Sequence, residues 1–131
     1  MFRRIGAGKS GANYGLHYKK KNDKMAKATQ EKTVTFYDAK TFGDWLSKLD
    51  VKAVAAINAR LQRLRQGNVG NSEFVGDGVF ELKLNIGPGY RLYYANVDDV
   101  IIVILHSGTK RRQRADIMKA KLIWLEMQDE V

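Results

Sequence analysis

From position 32 onward the apolar residues fall into regular patterns, and the period of each pattern predicts an element. Residues 32–37, KTVTFY, alternate as a strand does, with Val34 and Phe36 on one face. Phe42, Trp45, Leu46 and Leu49 then recur at helical spacing. A second helix carries Val54, Ile57, Leu61 and Leu64 as its stripe, with Arg60, Arg63 and Arg65 off it, and ends at Gly67 and the run NVGN. Three strand-like runs follow, VFELKLNI (79–86), YRLYYA (90–95) and VIIVILH (100–106), joined by GPG and NVDD, and predict an antiparallel meander. A last helix is expected from about Gln113 to Gln128. Its main stripe is Ile117, Ala120, Trp124 and Met127; a second stripe, Met118, Leu122 and Leu125, is either core or a partner surface. Trp45 and Trp124 are expected in the core. The order strand, helix, helix, three strands, helix predicts an α+β fold: a small antiparallel sheet with helices on one face.

The chain has one proline, Pro88, set between Gly87 and Gly89 where the first two runs of the meander join. In VFELKLNI, Phe80, Leu82, Leu84 and Ile86 share one face, and Glu81, Lys83 and Asn85 share the other. In YRLYYA the core face takes Leu92 and Tyr94, so Arg91 and Tyr93 point the opposite way. The register must keep both apolar sets together. A two-residue turn at Pro88-Gly89 would set Ile86 against Arg91 and drive the arginine into the core. A connection of odd length, Gly87-Pro88-Gly89, pairs Ile86 with Tyr90 and Leu84 with Leu92, and sets Lys83 across from Tyr93 and Asn85 across from Arg91. The glycines allow positive φ and the proline limits the freedom of the turn. The expected result is an open face carrying Glu81, Lys83, Arg91 and Tyr93, with the basic loop HSGTKRRQ arching over it. A charged face on an antiparallel sheet is ordinary by itself; the aromatic within it and the basic loop beside it make this one a candidate site.

Composition narrows the classes. The 131 residues are 44% hydrophobic, enough for one domain with a core. No run approaches the ~20 apolar residues that span a membrane; the longest, VIIVIL, is strand-sized. The chain start lacks the apolar centre of a secretory signal. There is no cysteine, which excludes disulfides, thiolate catalysis and thiolate metal sites. The two histidines, His17 and His106, are far apart in sequence, so no metal and no cofactor is expected.

The formal charge is +9, unevenly spread. Residues 1–30 hold eight Lys/Arg and one acid, giving +7; residues 31–131 hold fifteen and thirteen, giving +2. Rich in Gly, Lys, Asn and Ser and without apolar period, residues 1–30 are expected to be a disordered basic leader ahead of a domain of residues 31–131. The leader's GAGKSG misses the spacing of a phosphate-binding P-loop, which needs a glycine where Arg3 stands. An Arg/Lys-rich, acid-poor start also suits a mitochondrial presequence, and Met25 offers a later natural start. The domain's local excess of charge sits in TKRRQR, with Lys110, Arg111, Arg112 and Arg114. One concentrated basic loop on a nearly neutral domain points to a specific anion site, where a basic tail alone points to loose attraction to nucleic acid.

GDGVFELKLNIGPGYRLYY, an apolar strand, and SGTKRRQRADIMKAK together resemble the RelE/ParE toxin superfamily, and within it the phage-derived, HigB-like addiction module killer branch. The resemblance covers roughly residues 31–131. It is carried by Gly78, Val79, Glu81 and Leu82, by the run from Gly87 to Arg91, and by Gly108, Lys110, Gln113, Asp116 and Ile117. The chain departs from the pattern at Lys83, where the branch has arginine, at Ser107 to Lys110, where it reads Gly-Gly-Asp-Lys, and at Arg111 and Arg112, where it has small residues. These changes keep or add positive charge.

The resemblance implies a RelE-like fold and the toxin of a type II toxin–antitoxin system, an endoribonuclease that cuts mRNA on the ribosome and inhibits translation in the bacterial cytoplasm. The implied partners are mRNA, the ribosome and a cognate antitoxin, a small helix-turn-helix protein. The chemistry is attack of a ribose 2′-hydroxyl on the adjacent phosphate with loss of the 5′-oxygen. It needs a base, an acid and positive charge for the developing phosphorane. Arg91, always charged and forked, suits the last role. Lys83 and Lys110 add charge or move a proton. Tyr93 could stack on a base or donate to an oxygen, and Arg111, Arg112 and Arg114 could hold RNA backbone. Gln113 either touches RNA or caps the last helix, and Asp116 suits that helix's first turn in any case. An unperturbed Lys or Tyr titrates at about 10, too high for efficient base work. Glu81 lies on the right face, with an ion pair to Arg91 or Lys83 as its other role, and His106 is the other candidate base. Two readings compete: a non-enzymatic inhibitor that binds gyrase, as ParE-type relatives do, and a non-toxic RNA-binding domain.

Overall fold

The computed structural model of the protein describes residues 31–129, so the expected leader lies outside the described residues. The elements are β1 (Thr33–Phe36), α1 (Ala39–Ser47), α2 (Val51–Arg65), β2 (Ser72–Gly76), β3 (Val79–Leu84), β4 (Tyr90–Val97), β5 (Ile101–Thr109), a single 3₁₀ turn (Lys110–Arg112) and α3 (Gln113–Asp129). The first two helices begin where the chain supplies caps. Asp38 accepts from the Thr41 amide at 3.0 Å to start α1, and Asp50 accepts from the Ala53 amide at 2.8 Å to start α2. α2 ends as Gly67, at a φ of 85°, donates to the Leu64 carbonyl at 2.9 Å.

The strands form one sheet in the order β1-β5-β4-β3-β2. The expected meander of β3, β4 and β5 is present, and the α+β class holds. The sheet is mixed rather than antiparallel throughout, because β1 lies parallel beside β5. It also gains β2 at the far edge, antiparallel to β3. This strand shows no clean alternation because it is an edge: Glu73 and Phe74 are both exposed.

The helices cover both faces of the sheet, not one. α1 and α2 pack on Leu82, Leu84, Tyr90, Leu92 and Tyr94, while α3 packs Ala120, Ile123 and Trp124 on Val79, Tyr93, Ala95, Val103 and Leu105. The reason lies in β5. Its unbroken apolar run supplies residues to both faces, as a strand buried on both sides requires. On α3 the second stripe faces outward: Met118, Leu122 and Leu125 are exposed.

The hairpin register differs from the expected one by two residues. Leu82 pairs with Leu92, Lys83 with Arg91 and Leu84 with Tyr90. The connection is therefore residues 85–89, because Asn85 and Ile86 leave the strand and are exposed. Both lengths are odd, so every side chain that stays in the two strands keeps its expected face, and only the cross-strand partners change. Since α3 covers the face that holds Glu81, Arg91 and Tyr93, that face is closed where the sequence reading has it open.

A β-bulge decides what else meets α3. Tyr93 pairs with His106 but Tyr94 with Ile104, so Leu105 is the extra residue. Leu105 enters the core under α3, and beyond it His106 and Gly108 come opposite Tyr93 and Arg91.

Two substitutions check this packing through urea midpoints. Ile57, fully buried under α2, is expected to cost about 2–5 kcal/mol on Ile57→Ala. Gly43, helical and with nothing within 4 Å of an added Cβ, is expected to give a gain of about 0.5–1 kcal/mol on Gly43→Ala.

Candidate functional site

Beneath the first turns of α3 the strands align their polar side chains in two cross-strand rows. Glu73, Glu81, Tyr93 and His106 form one row from β2 to β5, and Lys83, Arg91 and Gly108 form the next. Glu81 is 1% exposed, Arg91 4% and Tyr93 0%. A carboxylate and a guanidinium taken this far out of water must be paired. One oxygen, Glu81 Oε2, is the meeting point. Tyr93 Oη donates to it at 3.1 Å, Gln113 Nε2 donates at 2.7 Å, and Arg91 Nε lies 3.6 Å away. Arg91 Nη1 donates to the Tyr90 carbonyl at 3.0 Å, while its buried Nε makes an ion-pair contact but no hydrogen bond.

A second pair adjoins the first. His106 Nε2 lies 2.9 Å from Asp116 Oδ1. An ionised Asp116 only accepts, so the imidazole donates from Nε2 and Nδ1 is left as the free position. The His106 ring stacks 6.2 Å from that of Tyr93, which joins the two pairs. Asp116 occupies the first turn of α3, where the helix dipole favours a carboxylate. It closes directly over Gly108: a Cβ there would overlap Asp116 Oδ2, which explains the glycine in SGTK.

The glycines of GPG have a different cause. Gly87 and Gly89 adopt φ of 53° and 83°, with Pro88 held between them, and the turn closes by a bond from the Gly89 amide to the Ile86 carbonyl at 2.9 Å. The Lys110 amide then donates to the Gly89 carbonyl at 2.7 Å, clipping the 3₁₀ turn to this loop. Pro88 thus stiffens the loop that carries the basic turn.

Of the residues expected at the site, Glu81, Arg91, Tyr93 and Gln113 come together in the buried cluster. Lys83 reaches toward the sheet edge, where Nζ pairs with Glu73 Oε1 at 2.6 Å. Lys110, Arg111, Arg112 and Arg114 are exposed and, among the described residues, make no ion pair with an acid. Three of these side chains are placed differently from the expected open face. Tyr93 is enclosed between the sheet and α3 with its hydroxyl committed to Glu81, so it has no ring face for a nucleobase. Arg91 turns inward to Glu81 and the Tyr90 carbonyl instead of facing solvent. Gln113 neither caps the helix nor lies free; it holds Glu81. The sequence reading names His106 and Asp116 separately but misses the pair, because only the bulge at Leu105 and the docking of α3 bring them together. Among the described residues no group of three or more His, Asp or Glu side chains could hold a metal ion, and no helix is long and apolar enough to cross a membrane.

Burial and then the charge of Glu81, reinforced by their hydrogen bond, push the Tyr93 phenol far above the ordinary tyrosine range. Tyr94, buried on the opposite face, is also raised by burial. At the sheet edge, the hydrogen bond and charge of Lys83 hold Glu73 below the ordinary carboxylate range.

A family model described as phage derived protein Gp49-like matches residues 44–124, a span that includes every residue of the buried cluster. A protein of Haemophilus influenzae strain Rd, described as uncharacterized, is 44% identical over 96 residues, which is 72% of this chain and 97% of the relative. No solved structure matches the chain.

The raised phenols have a direct consequence for stability in alkali. Both pKa values are higher in the fold than in the unfolded chain, so the neutral forms contribute stability that is present below the unfolded value of about 10 and is lost as pH rises above it. Urea midpoints measured upward from pH 9 are expected to fall, and Tyr93→Phe, which removes one of the two phenols, is expected to flatten the fall.

Proposed function

We propose, on the premise that this chain belongs to the phage derived Gp49-like family, that it is a ribosome-dependent mRNA endoribonuclease. The family is RelE/ParE-like and is associated with the toxins of toxin–antitoxin pairs, and membership implies an antitoxin partner. The HigB-like branch, a helix-turn-helix antitoxin, mRNA, the ribosome and action in the cytoplasm belong to the proposal.

The observation that carries the nuclease reading is a cluster of exposed cations without an acidic partner among the described residues, set over a buried guanidinium with one donor that makes no hydrogen bond. Above are the exposed, unpaired Lys110, Arg111, Arg112 and Arg114; below is Arg91, whose buried Nε has no hydrogen-bond partner. A phosphate oxygen is the acceptor that suits both. The exposed cations would hold RNA backbone, and Arg91 would stabilise charge developing on phosphorus. Glu81, with its donors converging on one oxygen, orients Arg91, and Gln113 and Tyr93 hold Glu81. Because Arg91 is enclosed, phosphate reaches it only when the basic turn lifts. That suits an enzyme whose site is completed on the ribosome, where substrate and protein are positioned together.

One observation favours a second reading. Met118, Leu122 and Leu125, 63%, 60% and 54% exposed, form an apolar face on α3 that suits protein docking, as a non-enzymatic toxin acting on gyrase would need.

5′-end mapping in a bacterial translation extract separates the two. The wild type is expected to cut within translated codons and to leave ribosome-free mRNA intact. Replacing Lys110, Arg111 and Arg112 together by Gln, all at exposed positions, is expected to lower cutting without moving the urea midpoint. Arg91→Lys, which keeps the charge beside Glu81 but loses the fork, is expected to lower the rate about 100-fold. Unimpaired translation with no cuts contradicts the nuclease and directs attention to DNA supercoiling assays.

A further inference from the structure

Where β1 stops, β5 runs on. Phe36 is the last residue of β1 to pair, with Ile104. Beyond it the outer edge of β5 lies between the start of α1 and the middle of α3, and leaves a cavity of about 170 Å³. The nuclease chemistry derived above does not use this space, yet its walls include His106, the inner neighbour of Tyr93.

The walls combine three kinds of group. Phe42 and Tyr37 are aromatic, and Tyr37 is partly open to solvent. His106 and Ser107 are polar, and among the described residues nothing donates to His106 Nδ1 and no group bonds the Ser107 hydroxyl. Lys119 and Asp38 carry opposite charges. Lys119 is exposed and has no acidic partner among the described residues. Asp38 accepts from the Thr41 amide at 3.0 Å and from the Thr41 hydroxyl at 2.8 Å, and these bonds hold it below the usual carboxylate range, so it stays ionised at neutral pH. A carboxylate has about four lone-pair sites, so it can accept further bonds.

We propose that this cavity is a nucleotide site that takes one nucleobase with its ribose phosphate and favours bases bearing an exocyclic amine. A flat ring suits the space beside Tyr37 and Phe42. An amine donates to Asp38, as cytosine's does to acidic side chains elsewhere. A ribose hydroxyl donates to His106 Nδ1, which Asp116 leaves free by holding Nε2. The phosphate meets Lys119 at the rim. The proposal deepens the nuclease reading and rests on it: His106 and Lys110 are four residues apart on one strand and its exit, roughly 14 Å at the rise of a β-strand, so one RNA can occupy the basic turn and the cavity together.

The test titrates the full chain with cytidine 3′-monophosphate, uridine 3′-monophosphate and inorganic phosphate and follows the imidazole NMR signal of His106, assigned with His17→Gln. The cytidine nucleotide is expected to shift the signal saturably and to bind about tenfold more tightly than the uridine nucleotide, while inorganic phosphate leaves it in place. Lys119→Gln is expected to weaken both nucleotides. Asp38→Asn, which still caps α1, is expected to remove the preference. The proposal is overturned if neither nucleotide gives a saturable shift at millimolar concentration, if inorganic phosphate gives the same shift, or if Asp38→Asn leaves the preference intact. The two readings fail separately. Ribosome-dependent cutting with a silent His106 signal removes the nucleotide site and leaves the nuclease; saturable binding without cutting removes the nuclease and leaves the site.

Discussion

The structure turns on a single carboxylate oxygen. Glu81 Oε2 receives Tyr93 from β4 and Gln113 from the first residue of α3, with Arg91 held 3.6 Å away. A carboxylate this deeply buried is tolerated only when its donors are in place, because an unpaired buried charge costs several kcal/mol. The requirement therefore pins the start of α3 to the sheet. Once it is pinned, Asp116 lands over Gly108 and beside His106, and the 3₁₀ turn projects its cations away from the protein. The loop at Pro88 secures the same turn from the other side through the Lys110 amide. Two short contacts, one polar side chain and one backbone bond, thus set the position of the whole basic segment.

This arrangement gives the buried polar groups a role distinct from that of the exposed ones. Glu81, Tyr93, Gln113 and Asp116 build and orient, while Lys110, Arg111, Arg112 and Arg114 remain available to a polyanion. Arg91 belongs to both sets: paired with Glu81, yet with one buried donor left without a hydrogen bond, which costs about 1–3 kcal/mol. That donor faces Glu81 across 3.6 Å, so a phosphate that reached Arg91 would share the guanidinium with the carboxylate. This is the physical sense in which the fold supports the activity proposed for this member of the Gp49-like family.

Much of the fold is legible in the chain because it depends on parity. Alternation in VFELKL and YRLYYA assigns each side chain to a face, and any odd connection through GPG preserves that assignment. Parity does not fix offset, so the cross-strand partners shift by two while the faces stay. The closed face is harder to read. Tyr93 has the same one-letter signature whether it holds a carboxylate or meets RNA, and the decisive clue is in another strand: VIIVIL is apolar at consecutive positions and so calls for cover on both sides. The Glu81–Arg91 ion pair follows from their shared face. The His106–Asp116 pair does not, since it needs a bulge at Leu105 that no local residue announces.

The most direct measurement of the central constraint is hydrogen exchange across residues 108–117 in Glu81→Gln, read together with its urea midpoint. The substitution keeps the shape but removes the charge opposite Arg91. The account predicts a loss of about 3–5 kcal/mol, with amide protection falling first at the basic turn and the start of α3. Unchanged stability, or exchange that rises evenly over the domain, would show that Glu81 does not pin the helix and would contradict the account.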